Sequence, residues 1–174
     1  SCVRYCSYYQ GGNSTVSLQT ANGNILVDTR SYLVSNGGAG ADGAEGYTGN
    51  GGNALIDITT GGGSITLRNS SLRAYGGSGG NWYNSGDGGD ANINLTVTSG
   101  GAVITVDGGE GWAYGGSGGY VDGAGGNGFI TLSGVTGPVS VTNSVTNAAW
   151  FYAQGGYGKQ SGGGTIDLTS AGAI

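Results

Sequence analysis

Apolar and polar residues alternate with a period of two in five separated stretches, which read TVSLQTANGNILV from Thr15, LIDITTGGGSITL from Leu55, NINLTVTSGGAVITV from Asn92, FITLSGVTGPVSV from Phe129 and TIDLTSAGAI from Thr165. In each, an apolar–polar–apolar run leads into a turn of small residues and the alternation then resumes, which predicts strand, turn, strand. The equivalent apolar positions are Val16, Ile56, Ile93, Ile130 and Ile166, spaced 40, 37, 37 and 36 residues apart, with Leu18, Ile58, Leu95, Leu132 and Leu168 two residues on. A second set follows in Ile25, Ile65, Ile104 and Val139, with Val27, Leu67, Val106 and Val141 beyond it. A third short extended stretch comes next, in YLVSN, LRAYG, WAYGG and WFYAQ, and each row then runs into glycine.

A repeat of this length predicts an array of stacked units. Three strands of about four to six residues and one long glycine-rich loop make a coil of about 37 residues, and about four to five such coils in register form an all-β, parallel β-solenoid. Helical repeats are excluded because no row places apolar residues at i, i+3, i+4 and i+7. A propeller is excluded because rows of three strands do not close a ring of four-stranded blades. The expected organisation is an N-terminal assembly segment and coil end over 1–13, a four-coil solenoid over 14–164 and a partial coil over 165–174. Loops stacked about 4.8 Å apart leave no room for side chains, so glycine is expected there for close approach and for access to positive φ, in extended polyproline-II-like segments.

Composition narrows the classes further. With 43 glycines but one proline, Pro138, and no glycine at every third position, the chain is not collagen. Ten acids against five bases give a net charge of −5, and Arg4, Arg30, Arg68, Arg73 and Lys159 are scattered, so nucleic acid is not an expected partner. No apolar run approaches the roughly 20 residues of a membrane span. The first residue is Ser1, consistent with a processed mature form or with a fragment.

Rows such as GGSITLRNSSLRAYGGSGG and GDGGDANINL resemble the glycine-rich β-strand repeats of bacterial surface proteins of the filamentous-haemagglutinin and autotransporter type. The resemblance covers residues 14–174. It implies a parallel β-helix, an extracellular or cell-surface address, and a structural or adhesive role. The chain is short for that family and shows no secretion domain or membrane barrel, so no binding residue carries over.

The two ends read as complementary. The last row stops after a first strand and turn at Ile174, while SCVRYCSYYQGGN supplies the close of a coil: Val3-Arg4 matches Leu72-Arg73, and Gly11-Gly12-Asn13 matches Gly51-Gly52-Asn53. Ile166, Leu168 and Ile174 of one subunit are expected to meet Cys2, Val3, Tyr5 and Cys6 of the next, a head-to-tail contact that repeats into a filament. The alternative is that these ends are arbitrary boundaries. Cys2 and Cys6 leave three alternatives: a disulfide closing a tight three-residue loop, a bond to a neighbouring subunit, or two unpaired buried thiols.

Reactive chemistry is sparse. There is no histidine, no Cys-x-x-Cys and no G-x-S-x-G elbow, so no catalytic residue, metal ligand or cofactor site is assigned and the chain is not read as an enzyme. Asp57 and Asp167 share an outward face but stand three coils, about 14 Å, apart. Asp42, Asp87, Asp90 and Asp122 lie in the glycine loops, and GDGGDANINL echoes a calcium-binding nonapeptide, although a turn residue before the first strand explains Asp90 equally. Thr66 and Thr105 raise ice binding, but Leu26 and Ser140 break that row. Sequons at Asn13, Asn69 and Asn94 are no more than such a composition yields by chance. Tyr75, Tyr114 and Tyr152 are placed at equivalent loop entrances, with Trp112 and Trp150 two residues upstream of the last two, as a candidate aromatic ladder that is either structural or sugar-binding. The reading is a structural subunit of an extracellular filament or matrix that polymerises with itself. The alternative is a glycan-binding, β-helical adhesin segment, followed by an ice-binding protein or polysaccharide-active enzyme.

Overall fold

Strands rich in Val, Ile, Leu and Thr, too short and too regularly interrupted by glycine for helix, form wherever the period-two alternation predicts them. The computed structural model describes residues 9–42, 48–81, 85–134, 137–144, 147–171 and 174. Among them are thirteen strands and no helix. The first strand of each coil has seven residues: β1 (Ser14–Thr20), β4 (Ala54–Thr60), β7 (Ala91–Val97), β10 (Gly128–Gly134) and β13 (Gly164–Ser170). The second has four: β2 (Ile25–Asp28), β5 (Ile65–Arg68), β8 (Ile104–Asp107) and β11 (Val139–Thr142). The third has five: β3 (Tyr32–Asn36), β6 (Ser71–Tyr75), β9 (Glu110–Tyr114) and β12 (Trp150–Gln154). No helix among the described residues is long and apolar enough to cross a membrane.

Each strand pairs in parallel with its equivalent one coil away, giving sheets ordered β1-β4-β7-β10-β13, β2-β5-β8-β11 and β3-β6-β9-β12. The protein is therefore a parallel β-solenoid. Its register stacks Val16, Ile56, Ile93, Ile130 and Ile166 in one row, and Ile25, Ile65, Ile104 and Val139 in another. Alternation aims these rows inward, and Ile56, Ile58, Ile65, Leu67, Ile93, Leu95, Ile104, Ile130 and Leu132 are wholly buried. At about 1.5–3 kcal/mol for each such side chain, these ladders supply the main driving force for the fold.

The glycine segments form a second body beside the sheets. Chain leaving the third strand packs against chain returning to the first, and their hydrogen bonds cross between the two layers. From Gly12 through Gly38, Gly52, Gly77, Gly89, Gly116, Gly126 and Gly156 to Gly162, each N–H donates to the carbonyl of the glycine before it in this series, at 2.8–3.0 Å. Other bonds run from coil to coil within a layer, such as Gly76 N–H to Tyr114 O at 2.8 Å and Gly88 N–H to Ala124 O at 2.8 Å. Side chains recur every third residue on the return path, at Asn50 and Asn53, Asp87 and Asp90, and Ala124 and Asn127, which is the three-residue turn of polyproline II. Crowding is the reason for glycine: a Cβ on Gly116 would lie 2.0 Å from the carbonyl oxygen of Gly77. The expected use of positive φ is not found in these segments. Among the described glycines only Gly101 and Gly108 have it, at φ 82° and 64°, and both lie in turns between strands. Close packing of extended chain, rather than left-handed turns, sets the composition.

A polar ladder closes the slab onto the first sheet. The Asn13 side-chain oxygen accepts from Asn53 N–H at 2.8 Å, Asn53 from Asp90 at 2.8 Å, Asp90 from Asn127 at 2.6 Å and Asn127 from Gly163 at 2.9 Å. Each rung thus satisfies a backbone donor at the point where extended glycine chain becomes strand.

Candidate functional site: an open rung and an aromatic groove

The regular stack makes its last rung chemically distinct. β13 pairs with β10 on one side and with no described strand on the other. Ile166 is 44% exposed and Leu168 37%, whereas their equivalents Ile130 and Leu132 are at 0%. Ile174 is exposed as well. At the opposite end Val16 and Leu18 of β1 are half-buried against the core. Cys2, Val3, Tyr5 and Cys6, the expected partners of this rung, lie outside the described residues.

The second feature is the outward face of the third sheet. Its rows read Tyr32, Ser71, Glu110, Trp150; then Val34, Arg73, Trp112, Tyr152; then Asn36, Tyr75, Tyr114, Gln154. Tyr152 therefore stands beside Trp112, not at the level of Tyr114 as the sequence reading places it, and Trp150 stands beside Glu110. Glycine sets this register: Gly115 N–H bonds Gln154 O at 2.8 Å just as Gly76 N–H bonds Tyr114 O, so Gly155 is the equivalent of Gly115.

The rings nevertheless form one cluster. Tyr75 and Tyr114 are parallel with centroids 5.5 Å apart, Tyr114 and Tyr152 lie at 5.3 Å, and Trp112 meets Trp150 edge-on at 4.2 Å. Burial among these rings raises the Tyr114 pKa, with the Tyr152 and Tyr75 hydroxyls adding to the effect and Arg73 opposing it. Arg73 threads the row, its guanidinium 5.5 Å from the Tyr32 ring centre and 5.9 Å from that of Trp112. It also donates to Ser71 Oγ at 3.0 Å and faces Glu110 at 4.0 Å, while the Trp112 indole N–H donates to Glu110 at 3.2 Å. The sequence reading does not assign Tyr32, Arg73 or Glu110 to this face. Their signal was their phase, since they occupy the same alternate positions of their strands as the aromatic residues.

Two depressions adjoin here. One of about 410 Å³ lies among Arg73, Tyr75, Trp112 and Tyr114. The other, about 270 Å³ and polar, is lined by Arg30, Ser31, Tyr32, Asn69, Ser70, Ser71, Gly108, Glu110 and Asn147. Asn69 anchors the second. It is left-handed at φ 45°, its carbonyl accepts from Arg30 N–H at 2.8 Å, and its side-chain oxygen accepts from Ser144 Oγ at 2.8 Å and Asn147 Nδ2 at 3.0 Å. Ser70 is 4% exposed, and its hydroxyl is the one buried side-chain polar atom without a partner among the described residues.

The loop acids are individually engaged. Asp90 and Asp87 accept backbone N–H groups from the next coil, Asp42 accepts from Asn81 N–H at 2.7 Å, and Asp122 pairs with Lys159. Asp57 and Asp167 occupy one outward row with Asn94 and Thr131 between them. Among the described residues no group of three or more acids or cysteines is placed to hold a metal ion. Comparison of the chain with protein-family models, with curated proteins and with solved structures finds no match to any of them.

Proposed function

We propose that this protein is a structural subunit of an extracellular filament or matrix, polymerising head to tail so that one β-solenoid continues from molecule to molecule. The observation that carries the reading is the open rung: β13 leaves Ile166 and Leu168 exposed in two rows whose inner members, Ile56, Ile93 and Ile130 and Ile58, Leu95 and Leu132, are buried. A parallel solenoid stacks every coil by the same translation, so the free edge of β13 offers the donors, acceptors and apolar row that β10 offers to β13. The edge of β1 has the complementary polarity, and joining the two is a heterologous contact that does not close. Among the described residues five first strands stand against four second and four third strands, so a continuous seam also needs a rung in each shorter sheet. In the sequence reading the 1–13 segment, through Val3-Arg4, supplies the one in the third. Negative-stain microscopy across a concentration series tests the proposal: it expects unbranched fibres with an axial repeat of about 20–24 Å. A monodisperse monomer at every concentration overturns it.

A second reading, glycan binding, is favoured by the half-exposed rings interleaved with Arg73 and Glu110. Sugar rings place their C–H faces on aromatic surfaces and their hydroxyls on flanking polar groups.

A further inference from the structure

We propose that the polar depression beside the aromatic row selects an acidic sugar, with Arg30 receiving the carboxylate of an oligosaccharide whose neighbouring residues lie along Tyr32 and Trp112. The inference rests on the glycan-binding reading and adds to it a ligand class and a selecting residue. Its first support is continuity. Tyr32 and Glu110 line the depression, and both touch Arg73, which in turn lines the aromatic one, so the two depressions adjoin at the Arg73 side chain. A chain of several sugars reaches across both, as no small ion does.

Charge is the second support. The molecule carries a net −5, yet two of its arginines, Arg30 and Arg73, line these depressions together with a single acid, Glu110. That acid is already engaged by Arg73 and by the Trp112 indole. Elsewhere among the described residues the cations are neutralised, Arg68 between Asp28 and Asp107 at 3.7 and 3.9 Å and Lys159 by Asp122. Among the described residues Arg30 makes no ion pair. It is held at φ 61° by the bond from its N–H to Asn69 O, a left-handed backbone that a long side chain adopts only under constraint. Its planar fork suits a carboxylate in bidentate fashion. The surrounding groups suit the rest of a sugar: the hydroxyls of Ser31 and Ser71 and the amide of Asn147 each donate or accept.

Isothermal titration and tryptophan fluorescence of the full chain test this with three probes: trigalacturonate, 3′-sialyllactose and neutral lactotriose. The expected result is that at least one acidic probe binds about ten- to a hundredfold more tightly than the neutral one. Trigalacturonate and sialyllactose distinguish a uronic from a sialic ligand. Arg30→Gln should bring acidic and neutral probes to equal affinity, while Trp112→Ala weakens both. Circular dichroism and melting confirm that each variant is folded. Equal binding of acidic and neutral probes by the unaltered protein, or a preference that survives Arg30→Gln, overturns acid selection and leaves the glycan reading standing. No binding of any probe overturns both.

Discussion

At the residue scale the sharpest demand is made by glycine, and the demand is for space. Gly116 and Gly12 belong to the same hydrogen-bonded series, but a Cβ on Gly116 would meet a carbonyl oxygen at 2.0 Å while one on Gly12 meets nothing within 4 Å. Gly116→Ala should therefore cost about 1–3 kcal/mol by overpacking, seen as a melting point lowered by several degrees, and Gly12→Ala should leave it unchanged or slightly higher. Equal melting of the two variants would show that the slab tolerates displacement. Crowding was legible from the stacking distance; the absence of left-handed glycine from the described loop segments was not, because composition does not distinguish a residue chosen for its φ from one chosen for its size. Tyr114 gives a second test. Its pKa is raised above the ordinary tyrosine value of 10.0 by burial among the neighbouring rings. The folded chain holds this proton to higher pH than the unfolded chain does, so the contribution is complete below pH 10.0 and is lost as pH climbs through the raised value. Tyr114→Phe should flatten that alkaline decline in melting temperature; an unchanged decline would place the titration elsewhere.

At the element scale, the inward rows of the first two sheets were legible because alternation and spacing agree. The third sheet was harder. The connections before β6 and β9 span 69–70 and 108–109 but the one before β12 spans 143–149, so spacing gives no register there, and matching Trp112-Ala113-Tyr114 to Trp150-Phe151-Tyr152 misplaces both rings by two residues. The register is recovered from the far side, where Gly155 follows β12 as Gly115 follows β9. Packing agrees with it: the Phe151 ring fills the space above Gly111, where a Cβ would lie 2.4 Å from it. The strand entrances were half legible. A turn-forming side chain is enough to explain Asp90, and the structure makes that role an acceptor for the next coil's N–H, shared with Asn13, Asn53 and Asn127. Asp90→Asn should accordingly keep stability within about 0.5 kcal/mol, whereas Asp90→Ala leaves the part-buried Asn127 N–H without its acceptor and should cost about 1–2 kcal/mol. Thermal melts with calcium and with chelator separate this from metal binding, since a midpoint that moves with calcium and is lost in Asp90→Asn would make the carboxylate a ligand instead.

At the scale of the whole molecule, the unsolved problem of a solenoid is how it stops. An edge strand with an apolar inner face costs exposed surface and invites pairing, and natural sheets blunt such edges with charge, proline or a covering segment. β13 has Asp167 on its outward face, but its inward positions remain Ile166 and Leu168. Ile166 and Leu168 are already more than half buried, so covering what remains exposed is worth about 1–2.5 kcal/mol before the cost of association, and backbone pairing along β13 supplies much of each weak but repeating contact. Ile166→Asp and Leu168→Asp place charge where the next coil must lie while leaving the inner coils untouched, so each should keep its circular dichroism, lose no more than about 1–3 kcal/mol of stability and abolish sedimentable polymer. Removal of residues 1–8 should do the same from the other end if that segment completes the third sheet. A mixture supplies the decisive observation. Heterologous growth uses two different surfaces, so Leu168→Asp subunits retain an intact β1 end and should add to a fibre's exposed β13 and halt it, shortening fibres at substoichiometric ratios. Fibres that grow unchanged in the presence of folded Leu168→Asp protein would place the contact somewhere other than the open rung.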